Sequence, residues 1–121
     1  MQYFVTGATG FIGKRLVKTL LARKGATVYF LLRKESERKV PELLEYWGTT
    51  KARAIPVFGD LTTKKLGVAA DDIKGLKGGI DALFHLAAVY DLKADEETQI
   101  QANIEGTRNV VEFAKAIDAK H

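Results

Sequence analysis

The chain has 121 residues, 46% of them hydrophobic, and a formal net charge of +4 from 19 Lys and Arg against 15 Asp and Glu. This length allows one compact domain with a hydrophobic core and excludes two. Cysteine is absent, so disulfides, thiolate metal sites and thiol nucleophiles are excluded. The positive charge is mild and no basic stripe is interleaved with aromatic residues, so we expect no nucleic-acid partner.

The N-terminus has no basic segment followed by a long apolar one, and no stretch approaches the roughly 18 apolar residues of a membrane span. We therefore expect a soluble, cytoplasmic protein without a transmembrane segment.

The first three predicted elements are a strand, a helix and a strand. Gln2–Thr6 is short, apolar and rich in β-formers, and it ends at a glycine, which is typical of a buried parallel strand. Phe11–Arg23 has apolar residues at helical spacing, with Gly25 as its C-cap. Thr27–Leu32 is almost continuously apolar, which predicts a strand covered by helices on both faces.

The alternation continues in the rest of the chain. Glu35–Tyr46 is polar with a helical apolar stripe, and Pro41 fits a first helical turn. In the mixed segment 61–77, Asp71 and Asp72 are the predicted caps of a short helix. The predicted third strand, fourth strand and last helix are Ala52–Phe58, Ile80–Ala87 and Asp95–Ala119.

This alternation predicts right-handed βαβ crossovers and an α/β fold, a Rossmann-type doubly wound parallel sheet of about four strands with flanking helices. After the last helix such a sheet would lay down a fifth strand. We therefore expect residues 1–121 to be the N-terminal portion of the fold, a truncated domain.

A glycine-rich turn, Gly7-Ala8-Thr9-Gly10-Phe11-Ile12-Gly13, lies between the first strand and the first helix, directly after Thr6. Small residues let the backbone turn sharply and let a pyrophosphate approach, while the N–H groups and dipole of the helix start favour negative charge. Its position inside a βαβ unit predicts a dinucleotide site instead of a simple tight loop.

The residue that ends the second strand distinguishes between dinucleotides. A carboxylate there would accept a hydrogen bond from the ribose 2′-hydroxyl, but this chain has Arg33, which suits a 2′-phosphate. Lys34, Arg38 or Lys14 could add charge. We therefore predict NADP(H) as the cofactor; the alternative is a surface Arg33, with Glu35 or Glu37 reaching the ribose.

Four motifs occur in order along the chain: Thr6 to Gly13, Gly59-Asp60-Leu61, His85-Leu86-Ala87-Ala88, and Asn103-Ile104-Glu105-Gly106-Thr107. Together they resemble the extended short-chain dehydrogenase/reductases. The resemblance implies that Asp60 and Leu61 hold the adenine and that Ala87 and Ala88 pass beside the middle of the cofactor. It also implies that Asn103 helps to order the active site, although Asn103 could equally be a residue of a helix face. The predicted cofactor-binding residues are Thr6, Gly7, Thr9, Gly10, Phe11, Ile12, Gly13, Arg33, Asp60, Leu61, Ala87 and Ala88.

More narrowly, the segment Leu-Phe-His-Leu-Ala-Ala-Val-Tyr-Asp-Leu at 83–92 and the Ala-Asp-Glu-Glu at 94–97 resemble bacterial NADPH-dependent fatty acyl-CoA reductases. This resemblance implies reduction of a fatty acyl thioester to an aldehyde or onward to an alcohol. Other substrates of the wider family, such as steroids, sugars and other thioesters, remain open.

Other polar residues near these motifs have two interpretations. We expect His85 to be a hydrogen-bonded structural residue of the fourth strand. Tyr90 and Asp91 could face the nicotinamide or substrate, or pack in a loop.

The family's proton donor, a tyrosine with a lysine four residues later, does not occur in this sequence. The tyrosines Tyr3, Tyr29, Tyr46 and Tyr90 are followed at that spacing by Gly, Arg, Thr and Ala. We therefore expect an enzyme whose cofactor-binding segment alone is inactive. The alternatives are a non-catalytic NADP(H)-sensing module and self-association through an unpaired sheet edge.

Overall fold

The computed structural model describes residues 1–87 and 95–121, which form a four-stranded parallel sheet flanked by helices. The strands are β1 Gln2–Thr6, β2 Thr27–Leu32, β3 Ala54–Phe58 and β4 Ala82–His85, in the order β3-β2-β1-β4. The α-helices are α1 Phe11–Leu21, α2 Val40–Trp47, α3 Ala70–Leu76 and α4 Glu96–Ala116, and 3₁₀ helices span Lys34–Lys39 and Lys64–Gly67. The predicted Rossmann-type parallel sheet is confirmed.

Alternate residues of the strands bury their side chains on opposite faces of the sheet, as the two-residue period of a strand requires. On one face Phe30 meets Trp47 of α2 edge-to-face, with ring centroids 5.2 Å apart. On the other face Phe4 packs against Phe113 of α4, with centroids 4.8 Å apart. The helices on both faces thus fix the sheet whose strand ends form the site.

The first helix ends at Leu21, two residues earlier than predicted, and Gly25 lies in the following turn with φ 74° and not at the cap. Arg53 stabilises this end of α1 from a distant segment. Its guanidinium donates to the main-chain oxygens of Leu21 at 2.6 Å, Arg23 at 3.2 Å and Ala26 at 3.1 Å. Carbonyls that have no partner within the helix are thereby satisfied.

The segment predicted as one helix at 35–46 consists of two. Residues Lys34–Lys39 form a 3₁₀ helix, and α2 begins at Val40 with Pro41 in its first turn. Proline has no N–H to donate and its ring clashes with the preceding turn, so it starts an α-helix and does not continue one.

Two further details differ from the sequence predictions. Asp71 and Asp72 are not caps: the N-cap of α3 is Ala69, and both carboxylates lie in the first turn, where the helix dipole favours them. The predicted start of the last helix is confirmed, because the carboxylate of Asp95 accepts from the Thr98 N–H at 2.7 Å.

The outer edge of β4, expected to be unpaired, carries hydrogen bonds from the end of the chain. The Leu83 N–H donates to the His121 oxygen at 2.8 Å, and the Lys120 N–H donates to the Ile80 oxygen at 3.2 Å. Part of the edge that could pair with a second copy is therefore occupied. Among the helices that the structure describes, none is long and apolar enough to cross a membrane.

Candidate functional site

The carboxyl ends of the parallel strands open into a cleft of about 470 Å³. The cleft is bounded by the glycine turn after β1, the segment after β2, the loop after β3 and the end of β4. Its lining residues are Gly7, Ala8, Thr9, Gly10, Leu31, Leu32, Arg33, Ser36, Lys39, Gly59, Asp60, Leu61, Thr62, Leu86 and Ala87. Parallel α/β sheets bind ligands at this place, because the chain connections leave β1 and β4, which are neighbours in the sheet, in opposite directions.

The glycine turn is shaped by close backbone contacts. Gly7 has φ 79°, a left-handed conformation, and a Cβ there would lie 2.6 Å from the Ala87 nitrogen. The Gly10 N–H donates to the Gly7 oxygen at 3.1 Å and closes the turn. A Cβ on Gly13 would collide with the Gly7 oxygen, so only glycine lets α1 approach the turn. This geometry agrees with the prediction that small residues let the backbone turn sharply here.

The N-terminus of α1 carries an uncompensated dipole. Its N-cap, Gly10, has no side chain to accept from the first-turn N–H groups, and this turn contains no acidic residue. In the described part of the chain, the other three α-helices all have acidic residues in the first turn. The start of α1 is therefore suited to a bound anion.

The segment after β2 presents three polar side chains to the cleft: Arg33, Ser36 and Lys39. Ser36 and Lys39 are three residues apart in the 3₁₀ helix, so their side chains lie on one line, and Arg33 is the N-cap of that helix. Ser36 was not predicted, although a count of three from Arg33 would have found it.

The basic residues that we expected to add charge lie elsewhere. Lys34 pairs with Glu37 at 2.8 Å, Lys14 stands 4.4 Å from the centroid of the Tyr46 ring, and Arg38 does not line the cleft. Glu35 and Glu37, the acidic residues that could have reached the ribose, do not line the cleft either. Glu35 lies 3.9 Å from Arg33 in an exposed ion pair, and Glu37 pairs with Lys34.

Asp60 follows β3 and faces the same cleft. Its Oδ1 accepts from the Thr62 N–H at 2.9 Å and from the Thr62 hydroxyl at 2.8 Å. The backbone bond from Thr62 is the largest influence that lowers the pKa of Asp60, and the positive charge of Arg33 also lowers it. The carboxylate is therefore ionised near neutral pH and oriented by its own loop.

Leu61, the neighbour of Asp60, is held by α4. The buried amide of Asn109 donates to the Leu61 oxygen at 2.8 Å, and a Cβ on Gly106 would lie 3.1 Å from a Leu61 methyl carbon. Sequence reasoning missed Asn109, and only the spacing Gly106-x-x-Asn109 on a helix face could have suggested a shared contact.

His85 is the hydrogen-bonded strand residue that we predicted. Its Nδ1 lies 2.6 Å from the hydroxyl of Thr6, and its Nε2 lies 3.5 Å from the hydroxyl of Thr107 in α4. Burial lowers the pKa of His85, so the neutral imidazole is favoured.

Most predicted cofactor-binding residues line the cleft, but several do not. Thr6 is fully buried beneath it, and Phe11 and Ile12 are 75% and 70% exposed and do not line it, so only their N–H groups are suited to the predicted contact. Gly13 lies behind the turn. Ala88, Tyr90 and Asp91 lie outside the described residues.

Asn103 does not line this cleft. Its amide donates to the Gln99 oxygen in the preceding turn of α4 at 3.0 Å, and its side chain borders a separate open groove on that helix. The predicted ordering function of Asn103 stays a prediction.

The geometry of the cleft agrees with comparisons to known proteins. The sequence profile of an NAD-binding family described as male sterility protein matches residues 5–121. The chain belongs to this male sterility protein family. The resemblance to the extended short-chain dehydrogenase/reductases is thereby confirmed.

The proteins to which this chain is similar differ in what their names say of them. A Drosophila melanogaster protein named as a putative fatty acyl-CoA reductase is 30% identical over 130 residues, which cover 94% of this chain and 25% of the relative. A 3-beta-hydroxysteroid dehydrogenase of Mycolicibacterium neoaurum is 33% identical over 117 residues, covering 91% of this chain and 27% of the relative. The terminal R domain from the myxalamid PKS-NRPS biosynthetic pathway superposes with a TM-score of 0.74 at 29% identity, covering 93% of this chain and 31% of that one.

The chain thus spans between a quarter and a third of the length of these proteins. It is an NAD(P)-binding domain of the reductase type, in an oxidoreductase family whose members do not share one substrate.

Proposed function

We propose that this domain binds NADP(H) in preference to NAD(H). The observation that carries the proposal is the line of Arg33, Ser36 and Lys39 at the end of β2, facing the cleft. A guanidinium, a hydroxyl and an ammonium can all donate to a 2′-phosphate, and none of the cations there can accept from a 2′-hydroxyl.

The remaining walls fit the other parts of a dinucleotide. The turn Gly7–Gly10 and the start of α1 are suited to the pyrophosphate, because the N–H groups at the helix start have neither a capping side chain nor an acidic residue beside them. Asp60 and Leu61 are proposed to hold the adenine, with Ala87 beside the middle of the cofactor. When bound, NADPH supplies the hydride of a reduction, and the residues of this chain bind and orient it.

Titration with NADPH and NADH tests the cofactor preference. Arg33→Asp is expected to weaken NADPH binding at least tenfold, about 1.4 kcal/mol, because it replaces a donor with a charge that repels the phosphate. NADH binding should change less than about threefold. Arg38→Asp makes the same change of charge outside the cleft and serves as the control. Equal effects of the two substitutions on NADPH would refute the assignment.

We further propose that the domain serves a reductase that transfers hydride to a fatty acyl thioester. The support is the fatty acyl-CoA reductase among its relatives and the segment at 83–92. The sequence contains no Tyr-x-x-x-Lys pair, so residues 1–121 are proposed to be the NADP-binding part of a longer cytoplasmic enzyme and to be inactive alone.

Acyl-CoA-dependent oxidation of NADPH is the assay for this second proposal. The 121-residue chain should bind NADPH without turnover, whereas the product of the whole reading frame should oxidise it. A whole protein that acts on a 3β-hydroxysteroid and not on acyl-CoA would favour the steroid class, to which the 33% identical relative belongs. A reading frame without a downstream Tyr-x-x-x-Lys pair would favour the NADP(H)-sensing module.

A further inference from the structure

The hydroxyl of Thr6 lies at the centre of a partly buried hydrogen-bond cluster. Its Oγ1 accepts from the Ala87 N–H at 3.2 Å and lies 2.6 Å from Nδ1 of His85. The Leu86 N–H lies 3.2 Å from both Oγ1 and the main-chain oxygen of Thr6 and is shared between them. A hydroxyl has two acceptor lone pairs and one proton. Donation of that proton to Nδ1 of His85 is the arrangement in which the proton and the lone pairs of the hydroxyl are all used.

This cluster joins two backbone segments that both line the cleft. The glycine turn follows Thr6 directly, and Leu86 and Ala87 follow His85 directly. They are in such close contact that a Cβ on Gly7 would lie 2.6 Å from the Ala87 nitrogen and 2.8 Å from the Leu86 carbonyl carbon. A small change in their separation therefore changes the shape of the turn.

On its other side, the His85 ring reaches α4. Its Nε2, which carries the ring proton when Nδ1 is the acceptor, lies 3.5 Å from the Thr107 hydroxyl. A single imidazole thus links the ends of β1 and β4 and faces the helix behind the cleft.

We infer that His85 is a positioning residue for the dinucleotide: by accepting the Thr6 proton at Nδ1, it holds the glycine turn against the end of β4. It acts through Thr6 and does not touch the cofactor. The inference rests on the proposed function, since it assigns the turn's geometry to cofactor binding. The burial that disfavours the charged imidazole by lowering its pKa is consistent with the acceptor function of Nδ1.

Two amide substitutions separate the two ring nitrogens. The amide oxygen of His85→Asn is as many bonds from Cα as Nδ1 is, whereas the amide of His85→Gln reaches as far as Nε2. If the Nδ1 bond positions the turn, His85→Asn should bind NADPH within about threefold of the wild type, and His85→Gln should bind about tenfold more weakly. Equal affinities of the two variants would overturn the inference.

The partner hydroxyl provides a second, independent pair. Thr6→Ser keeps the donor and should bind normally, while the isosteric Thr6→Val should lose about tenfold in NADPH affinity. The loss of affinity in the double variant Thr6→Val/His85→Gln should not exceed that of the single variant with the lower affinity by more than about threefold, because both substitutions remove the same Thr6–His85 bond. Additive losses would contradict the inference. Circular dichroism identifies variants that do not fold, and the conservative substitutions His85→Asn and Thr6→Ser are not expected to be among them.

Nitrogen-15 NMR of His85 in the wild type gives a readout that stability alone does not determine. Near neutral pH the ring should be neutral, with Nδ1 unprotonated; a protonated Nδ1 would overturn the inference. Wild-type protein that binds no NADPH would refute the proposed function instead, whatever the state of the ring.

Discussion

The side-chain amide of Asn109 in α4 donates to the main-chain oxygen of Leu61 at 2.8 Å, between residues 48 positions apart in sequence. Asn109 is buried, and Leu61 lines the cleft. The bond therefore joins a helix on one face of the sheet to the loop that is proposed to hold the adenine. The position of that loop depends on α4 as well as on β3.

Replacement of Asn109 by Leu should lower the free energy of unfolding by about 1–3 kcal/mol, because the Leu61 oxygen loses its donor inside the protein. Affinity for the dinucleotide should fall as well. Chemical denaturation and NADPH titration measure the two effects. Glu112→Gln, on the exposed side of the same helix, is the control and should change stability by less than about 0.5 kcal/mol.

Two glycines with similar backbone angles should respond differently to alanine. Gly7 has φ 79° and Gly25 has φ 74°, but a Cβ on Gly7 meets the Ala87 nitrogen, while nothing lies within 4 Å of a Cβ on Gly25. Gly25→Ala should cost only the left-handed strain of about 1–2 kcal/mol and leave NADPH binding intact. Gly7→Ala should cost more and abolish binding. Equal unfolding free energies in the two variants would contradict the close contact at Gly7.

Arg53 should be important for stability although it lies far from the cleft. Its guanidinium donates to three main-chain oxygens at the end of α1. Arg53→Met should lower the free energy of unfolding by about 2–3 kcal/mol, since hydrogen bonds from charged groups are worth more than neutral ones. Arg38→Met is the matched control at an exposed position, and similar losses in both variants would exclude the capping function.

The pH dependence of stability should report on His85. Burial lowers its pKa in the folded protein below the ordinary value of 6.5, so between these two pKa values the unfolded chain binds a proton that the folded one does not. The free energy of unfolding therefore rises with pH in this range. The stability due to the neutral ring is complete above the ordinary pKa of 6.5 and is lost as the pH falls through the folded pKa.

Denaturant unfolding of the wild type and of His85→Asn across this pH range isolates the effect, because all other titrating groups are shared. The wild type should lose more stability on acidification than the variant, which has no titrating group at position 85. Parallel losses in the two proteins would show that the pKa of His85 is not lowered by folding.

Sequence patterns identified the elements that depend on local composition. The bounds of β1 and β2 agree with the prediction at every residue, because both are short runs rich in apolar residues that end before a glycine or a charged residue. The segment 35–46 was predicted as one helix, although its apolar stripe starts only at Val40. The residues before Val40 are polar, and without apolar residues at helical spacing the sequence does not show that they form a separate 3₁₀ helix.

The candidate site was predicted where it depends on the chain's own neighbours and missed where it depends on tertiary contacts. The sequence predicted Gly7, Gly10 and Arg33 as site residues because they lie just after predicted strands. Asn109 and Arg53 bond to oxygens 27 to 48 residues away, and no local pattern specifies such partners. Ser36 was missed because its orientation depends on the three-residue period of a 3₁₀ helix, which the sequence pattern does not show.

The line formed by Arg33, Ser36 and Lys39 stands outside both hydrophobic clusters of the sheet. Exchange of these three side chains removes no buried apolar surface, so the choice between two dinucleotides is nearly independent of folding free energy. Laboratory evolution could therefore reverse the proposed preference for NADP(H) at these positions without compensating substitutions in the core.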